Sequence, residues 1–270
     1  MTFDALVAGP ASGEPIILLH GFPETSRQWR HQLEALGAAG YRAVAPDQRG
    51  YSPDARPDDV DAYSIEHLVG DVLGVADSLS FDTFHLAGHD WGGAVAWQIA
   101  GRHPERVRTL TVLSTPHPAA MGRSIADGEQ REKSSYMLMF RKEGSEDRFL
   151  ENESQLLQAM YLSSGMPEES AAEYLPLFSD RDRLCAALNW YRAADIRLVE
   201  GMGPITMPTL YVWSTDDVAL GREAAEWTAG HVAGPYRFEV LEGVSHWISE
   251  EAPEQLNRML LEHLAATPAL

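Results

Sequence analysis

Short apolar runs recur along the chain, each followed by a longer stretch whose apolar positions repeat with helical spacing. The runs are PIILLH (15–20), YRAVA (41–45), TFHLA (83–87), TLTVL (109–113), TLYVW (209–213) and YRFEVL (236–241). Continuous apolar segments of this length predict strands buried on both faces. Helical patterns fall at 27–39, 64–78, 93–103, 222–232 and 251–265. Repeated strand and helix predict an α/β fold, a mostly parallel sheet covered by helices on both faces.

The alternation stops between Pro118 and Pro208. No strand pattern is found there, charge is dense from Asp127 to Glu153, and most of the methionines fall inside it. Some 90 residues far exceed an ordinary crossover connection. Residues 118–207 are therefore expected to form a helical cap, inserted late in the chain into a core made of 1–117 and 208–270.

Composition narrows the function more than the fold. The chain has 270 residues, 44% apolar, enough for a sizeable core. Its 40 acidic against 21 basic residues give a net charge of -19. Such a surface repels phosphate backbones and anionic lipid, which argues against nucleic-acid or membrane partners. The single cysteine, Cys185, cannot pair within the chain. No basic, apolar leader opens the sequence, and no apolar run reaches the roughly 18 residues of a membrane span. A cytoplasmic monomer or homodimer is expected.

The most informative segment is GHDWGG, 88–93, between the run TFHLA and the helical pattern AVAWQIA. Strand, sharp turn and helix, with glycines two before and two after one residue, is the context of a nucleophile elbow. The elbow residue is Asp90, where an esterase would carry serine. A serine attacking saturated carbon would form an ether, a dead end. A carboxylate, with an unperturbed pKa near 3.9, is already ionised. Its attack gives an alkyl ester that water can cleave at the carboxylate's own carbonyl carbon. Asp90 thus predicts displacement at sp3 carbon, in an epoxide or an alkyl halide.

Cleaving that ester needs a general base. His246, in GVSHW after the last strand, holds the position expected for it. Its orienting carboxylate should follow TLYVW, where Ser-Thr-Asp-Asp ends in Asp216 and Asp217. Asp217 is the expected partner, with Asp216 the adjacent alternative. The run TLTVL offers no carboxylate before Asp127. Backbone N–H groups at Phe22, in HGFPE, and at Trp91 are the expected oxyanion donors.

HGFPE (20–24), APDQRGYS (45–52), GHDWGG, LSTPHP (113–118) and the late Asp and His together resemble the α/β-hydrolase fold family, specifically its epoxide hydrolase branch. The resemblance covers nearly the whole chain and is weakest in the cap and at the N-terminus. Family members usually have more sequence before PIILLH, so a missing first strand is expected. Asp47, Arg49 and Gly50 read as turn structure rather than chemistry.

The resemblance also implies two cap tyrosines that protonate the departing epoxide oxygen. NWYR (189–192) and SYMLMF (135–140) match the segments that hold them, so Tyr191 and Tyr136 are the candidates. Tyrosine, with a pKa near 10, is a neutral donor at pH 7; Tyr161 and Tyr174 read as packing residues. Phe22, Trp91, Met137, Met139, Phe140, Trp190 and Trp247 are expected to line an apolar pocket. The substrates implied are a hydrophobic epoxide and water. No metal or nucleotide cofactor is expected, because neither His-Glu-x-x-His nor a GxGxxG pattern occurs. A haloalkane dehalogenase, with Trp91 or Trp190 donating an indole N–H to halide, is the main alternative. A non-catalytic ligand-binding member of the fold is another, and ordinary esterase or lactonase chemistry the weakest.

Overall fold

The computed structural model describes residues 1–194 and 199–266. Among them β1 (Ala5–Ala8), β2 (Pro15–Leu19), β3 (Arg42–Pro46), β4 (Phe84–His89), β5 (Val107–Leu113), β6 (Thr209–Asp216) and β7 (Tyr236–Ser245) form one sheet. Its order is β1-β3-β2-β4-β5-β6-β7. Every pairing is parallel except β1 with β3. The six apolar runs are the six parallel strands. The seventh, β1, was not read from the sequence, and the short N-terminal stretch does hold a strand. It lies at the sheet edge, with Leu6 and Val7 exposed, so it carries no continuous buried run.

Side-chain alternation along the strands builds two cores. Ile17 and Leu19 of β2 face one side, with Leu86, Val112 and Tyr211. That side is covered by α2 (Ile65–Ser78) and α3 (Trp91–Arg102), through Leu68, Val72, Val95 and Ile99. Ile16 and Leu18 face the other side, with Ala43, Ala87, Leu210 and Val212. There α1 (Arg30–Ala38) contributes Leu33 and Leu36, and the C-terminal helix, Pro253–Ala265, contributes Leu256 and Leu260.

Between β5 and β6 the described residues hold helices and no strand: α4 (Pro118–Asp127), α5 (Gln130–Lys133), α6 (Met137–Phe140), α7 (Ser145–Ser163), α8 (Glu168–Phe178) and α9 (Arg181–Ala193). α7 is broken at 151–154, where Asn152, Glu153 and Ser154 take positive φ. Beyond β6 come α10 (Arg222–Trp227), α11 (Ile248–Glu251) and α12, the C-terminal helix named above. α4 is tied to α10 by Ser124, whose hydroxyl meets the Glu223 carboxylate at 3.5 Å.

The helices of 145–193 share the first apolar cluster with the sheet, through Phe149, Leu157, Phe178, Leu184 and Trp190. Buried hydrogen bonds add direction. Tyr161 donates to the Pro23 carbonyl at 2.6 Å. Tyr174 and Ser170 both donate to Glu250 at 2.7 Å, which also pairs with Arg30. These two tyrosines therefore orient the helices of 145–193 as well as packing them. No described helix is long and apolar enough to cross a membrane.

Candidate active site

The site is built at the carboxyl ends of the strands, where α/β sheets leave a crevice. β4 turns into α3 through a single residue, Asp90, with φ 50° and ψ -118°. The turn is tight enough to require its glycines. A Cβ on Gly88 would lie 2.2 Å from the Gly92 carbonyl oxygen, and one on Gly92 would lie 2.2 Å from that of Leu19. We expect Gly92→Ala to destabilise the fold by about 3 kcal/mol in denaturant unfolding, since backbone cannot yield as a side chain would. The Thr115 hydroxyl holds the Asp90 carbonyl at 2.7 Å.

The strained turn aims the Asp90 side chain at two backbone donors. The Phe22 N–H donates to Oδ1 at 2.9 Å, and the Trp91 N–H, at the start of α3, also donates to the carboxylate. Burial raises the Asp90 pKa above the ordinary carboxylate value, while His246 and these two N–H groups oppose the rise. Oδ2 is left facing His246, 3.8 Å from Nε2, beyond direct hydrogen-bond reach.

His246 Nδ1 donates to Asp217 Oδ2 at 2.8 Å. Because Nδ1 carries the proton, Nε2 presents its lone pair toward Asp90. Asp217 Oδ1 accepts from the Ala219 and Leu220 N–H groups at 2.8 and 2.9 Å. Burial disfavours the Asp217 charge, but the imidazole and these N–H donors outweigh it and lower the pKa. At His246 burial works against the proton, and the Asp217 charge and hydrogen bond, with the Asp90 charge, outweigh it and raise the pKa. Asp216 is exposed and its carboxylate accepts from the Thr215 hydroxyl, whereas Asp217 is the carboxylate that reaches the imidazole.

Tyr136 and Tyr191 come to the site from the helices between β5 and β6. Burial, followed by the charge of Asp90, pushes both phenols up, so both stay neutral donors. Their hydroxyls interact with one another. Tyr191 is locked edge-on against Phe22, Trp91 and Phe140, with ring centroids 5.0–5.1 Å apart. Asp90, His246 and both tyrosines line one cavity of about 270 Å³. Its remaining wall is mainly apolar, with Phe22, Met139, Phe140 and Trp247 among the residues expected there.

Three expected wall residues, Met137, Trp91 and Trp190, do not line this cavity. Helical spacing explains Met137. Tyr136, Met139 and Phe140 stand at i, i+3 and i+4 and share a face, and Met137 is turned about 100° away. Trp190 adjoins Tyr191 on α9 and is likewise rotated off. It is buried, edge-on to Tyr51 and Trp91, with its indole N–H donating to the Arg49 carbonyl at 2.7 Å. The Trp91 side chain packs edge-on to Tyr191 and, with Trp190, lines a neighbouring cavity of about 410 Å³.

Other wall residues were not read from the sequence: Phe149, Leu156 and Met160 on either side of the break in α7, and Val218 and Ala219 beside Asp217. Beneath the site, Glu24 and His89 form a further buried link. Burial, then the charges of Glu250 and Asp90, push the Glu24 carboxyl well above the usual range. The carboxyl lies 3.1 Å from His89 Nδ1, and His89 Nε2 donates to the His246 carbonyl at 3.0 Å. Glu24 stands in the HGFPE motif, and only the fold reveals this contact.

Residues 14–253 match the family described as alpha/beta hydrolase fold. Epoxide hydrolase A of Mycobacterium tuberculosis is 30% identical, over 95% of this chain and 92% of that protein. An AB hydrolase superfamily protein of Bacillus subtilis, YfhM, is 35% identical over 98% and 94%. Among solved structures, epoxide hydrolase A from Mycobacterium thermoresistibile superposes with a TM-score of 0.85 at 28% identity, covering 99% of this chain and 96% of that one. With a seven-stranded sheet of this order and family likeness over nearly its full length, the chain belongs to the α/β-hydrolase fold family, in its epoxide hydrolase branch.

Proposed function

We propose that the protein hydrolyses a hydrophobic epoxide to a vicinal diol through an ester of Asp90. The observation that carries this reading is the shared cavity, in which a carboxylate held by two backbone N–H groups faces two neutral tyrosine hydroxyls. Residues 118–207 act as the cap over a hydrolase core formed by 1–117 and 208–270.

Asp90 Oδ2 attacks a ring carbon and the C–O bond breaks. The departing oxygen takes a proton from the tyrosine pair, since an unprotonated alkoxide leaves poorly. His246 Nε2 then takes a proton from water, which attacks the ester carbonyl carbon. Negative charge develops on Oδ1, already held by the Phe22 N–H, with the Trp91 N–H as a second backbone donor to the same carboxyl group. The acyl C–O bond breaks as His246 returns its proton to the leaving oxygen, so the diol leaves with the original Oδ2; the water oxygen remains in Asp90, whose new carboxylic acid gives up its proton to restore the tyrosine pair. These steps use only the chain's own groups and water.

Single turnover in heavy-oxygen water tests the route. Label should enter Asp90, found by mass spectrometry of the peptide that contains it; label in the diol alone overturns the reading. The tyrosines give a second check. Tyr191→Phe and Tyr136→Phe should each slow alkylation by about 10²-fold, the scale of one general acid. The double variant should form almost no ester. Halide displacement needs N–H donors facing the cavity, and the Trp190 N–H is engaged with Arg49. A panel of alkyl chlorides and bromides is expected to release no halide.

A further inference from the structure

We propose that Gln130 is a positioning residue that holds the Tyr136 turn and the Asp217 loop as one unit, with Lys133 as its companion. The proposal rests on the roles given above to Tyr136 and Asp217. Gln130 is fully buried at the start of α5, and both N–H donors and the carbonyl oxygen of its side-chain amide are engaged. Nε2 donates to the Ser134 hydroxyl at 2.8 Å and to the Ala219 carbonyl at 2.7 Å. Oε1 accepts from the Gly221 N–H at 2.8 Å.

Each contact leads to a reacting group. Ser134 opens the turn Ser134–Tyr136, which ends on one proposed acid. Ala219 supplies one of the two N–H groups that hold the Asp217 carboxylate, and Leu220, the other donor, lies between Ala219 and Gly221. One turn further along α5, Lys133 donates to the Asp217 carbonyl at 2.7 Å. The loop that orients His246 is therefore fastened at three backbone atoms to the helix that leads into Tyr136. Two donors and one acceptor are needed at position 130, which glutamine supplies and glutamate or leucine does not. Without them, buried backbone groups lose their partners and the loop must move to find others. A displacement near 1 Å is enough to slow a positioned reaction by about 10²-fold.

The test compares Gln130→Leu, Gln130→Glu and Lys133→Met with wild type. Rapid quench and mass spectrometry follow formation and decay of the Asp90 ester, and NMR follows the His246 imidazole titration without substrate. Both Gln130 variants should slow formation and decay by about tenfold or more and lower the His246 pKa, because the Asp217 carboxylate recedes. Lys133→Met, which frees only the Asp217 side, should slow decay, leave formation within about twofold, and shift the titration the same way. Folded variants with unchanged rates and an unmoved titration overturn the proposal, even if they are less stable. If Gln130→Leu does not fold, Lys133→Met is judged by the same criteria. If wild type opens no epoxide, the reading of the reaction fails, and the titration still decides whether the fastening exists.

Discussion

Asp90→Ala should abolish diol formation, a loss of about 10⁴-fold or more in kcat/KM, the scale seen when a group that forms the covalent intermediate is removed. Among the described residues that line the cavity, Asp90 is the one carboxylate. Asp217 is turned away onto its own loop N–H groups and the imidazole. Asp90→Asn is a sharper version. It keeps an oxygen for the Phe22 N–H and nearly the same volume, yet removes the charge that attacks. Because the Asp90 charge is one of the causes that raise the His246 pKa, the Asn variant should also show His246 titrating at lower pH. Diol forming at the wild-type rate from either variant would rule out the ester route.

His246→Gln should separate the two halves of the reaction. Alkylation does not use the base, so one equivalent of epoxide should be consumed in a burst. The ester should then persist, with kcat reduced by about 10³-fold, within the range for loss of a general base. Intact-protein mass spectrometry should find the enzyme heavier by one substrate molecule. A variant that accumulates no ester, or turns over steadily, would mean that another group activates water.

The sign of the pH dependence follows from the same charges. His246 acts as a base only when neutral, so hydrolysis of the ester falls as pH drops through its pKa. In the free enzyme that pKa is raised, with Asp90 among the causes. Esterification neutralises Asp90 and removes that contribution, so the acid limb of ester decay should lie at lower pH than the titration of His246 in the resting protein. A limb at or above the resting titration would show that the Asp90 charge does not act on the imidazole.

Much of this arrangement could be read from short segments, for one physical reason. A buried parallel strand writes itself as an unbroken apolar run, and a strained turn writes itself as glycines at set distances. The six parallel strands, the Asp90 elbow and the loop of His246 are all of this kind. β1 escaped because an exposed antiparallel edge is held by its backbone and imposes little on its side chains. Met137 and Trp190 were misplaced among the wall residues because an apolar residue beside a site residue in sequence points elsewhere on a helix.

By itself the sequence determined which groups are available: a carboxylate where a serine would stand, a histidine after the last strand, and tyrosines in the inserted segment. Only the tertiary structure decided which of them meet. Asp217 rather than Asp216 reaches His246 because the chain folds back on the Asp217 carboxylate at Ala219 and Leu220. Glu24 lies under the site, and Gln130 joins α5 to the loop after β6, through contacts between residues 65 and 91 positions apart. Local patterning records the backbone a residue needs; it holds no record of the distant partner that satisfies a buried polar atom, and that partner sets the geometry of this site.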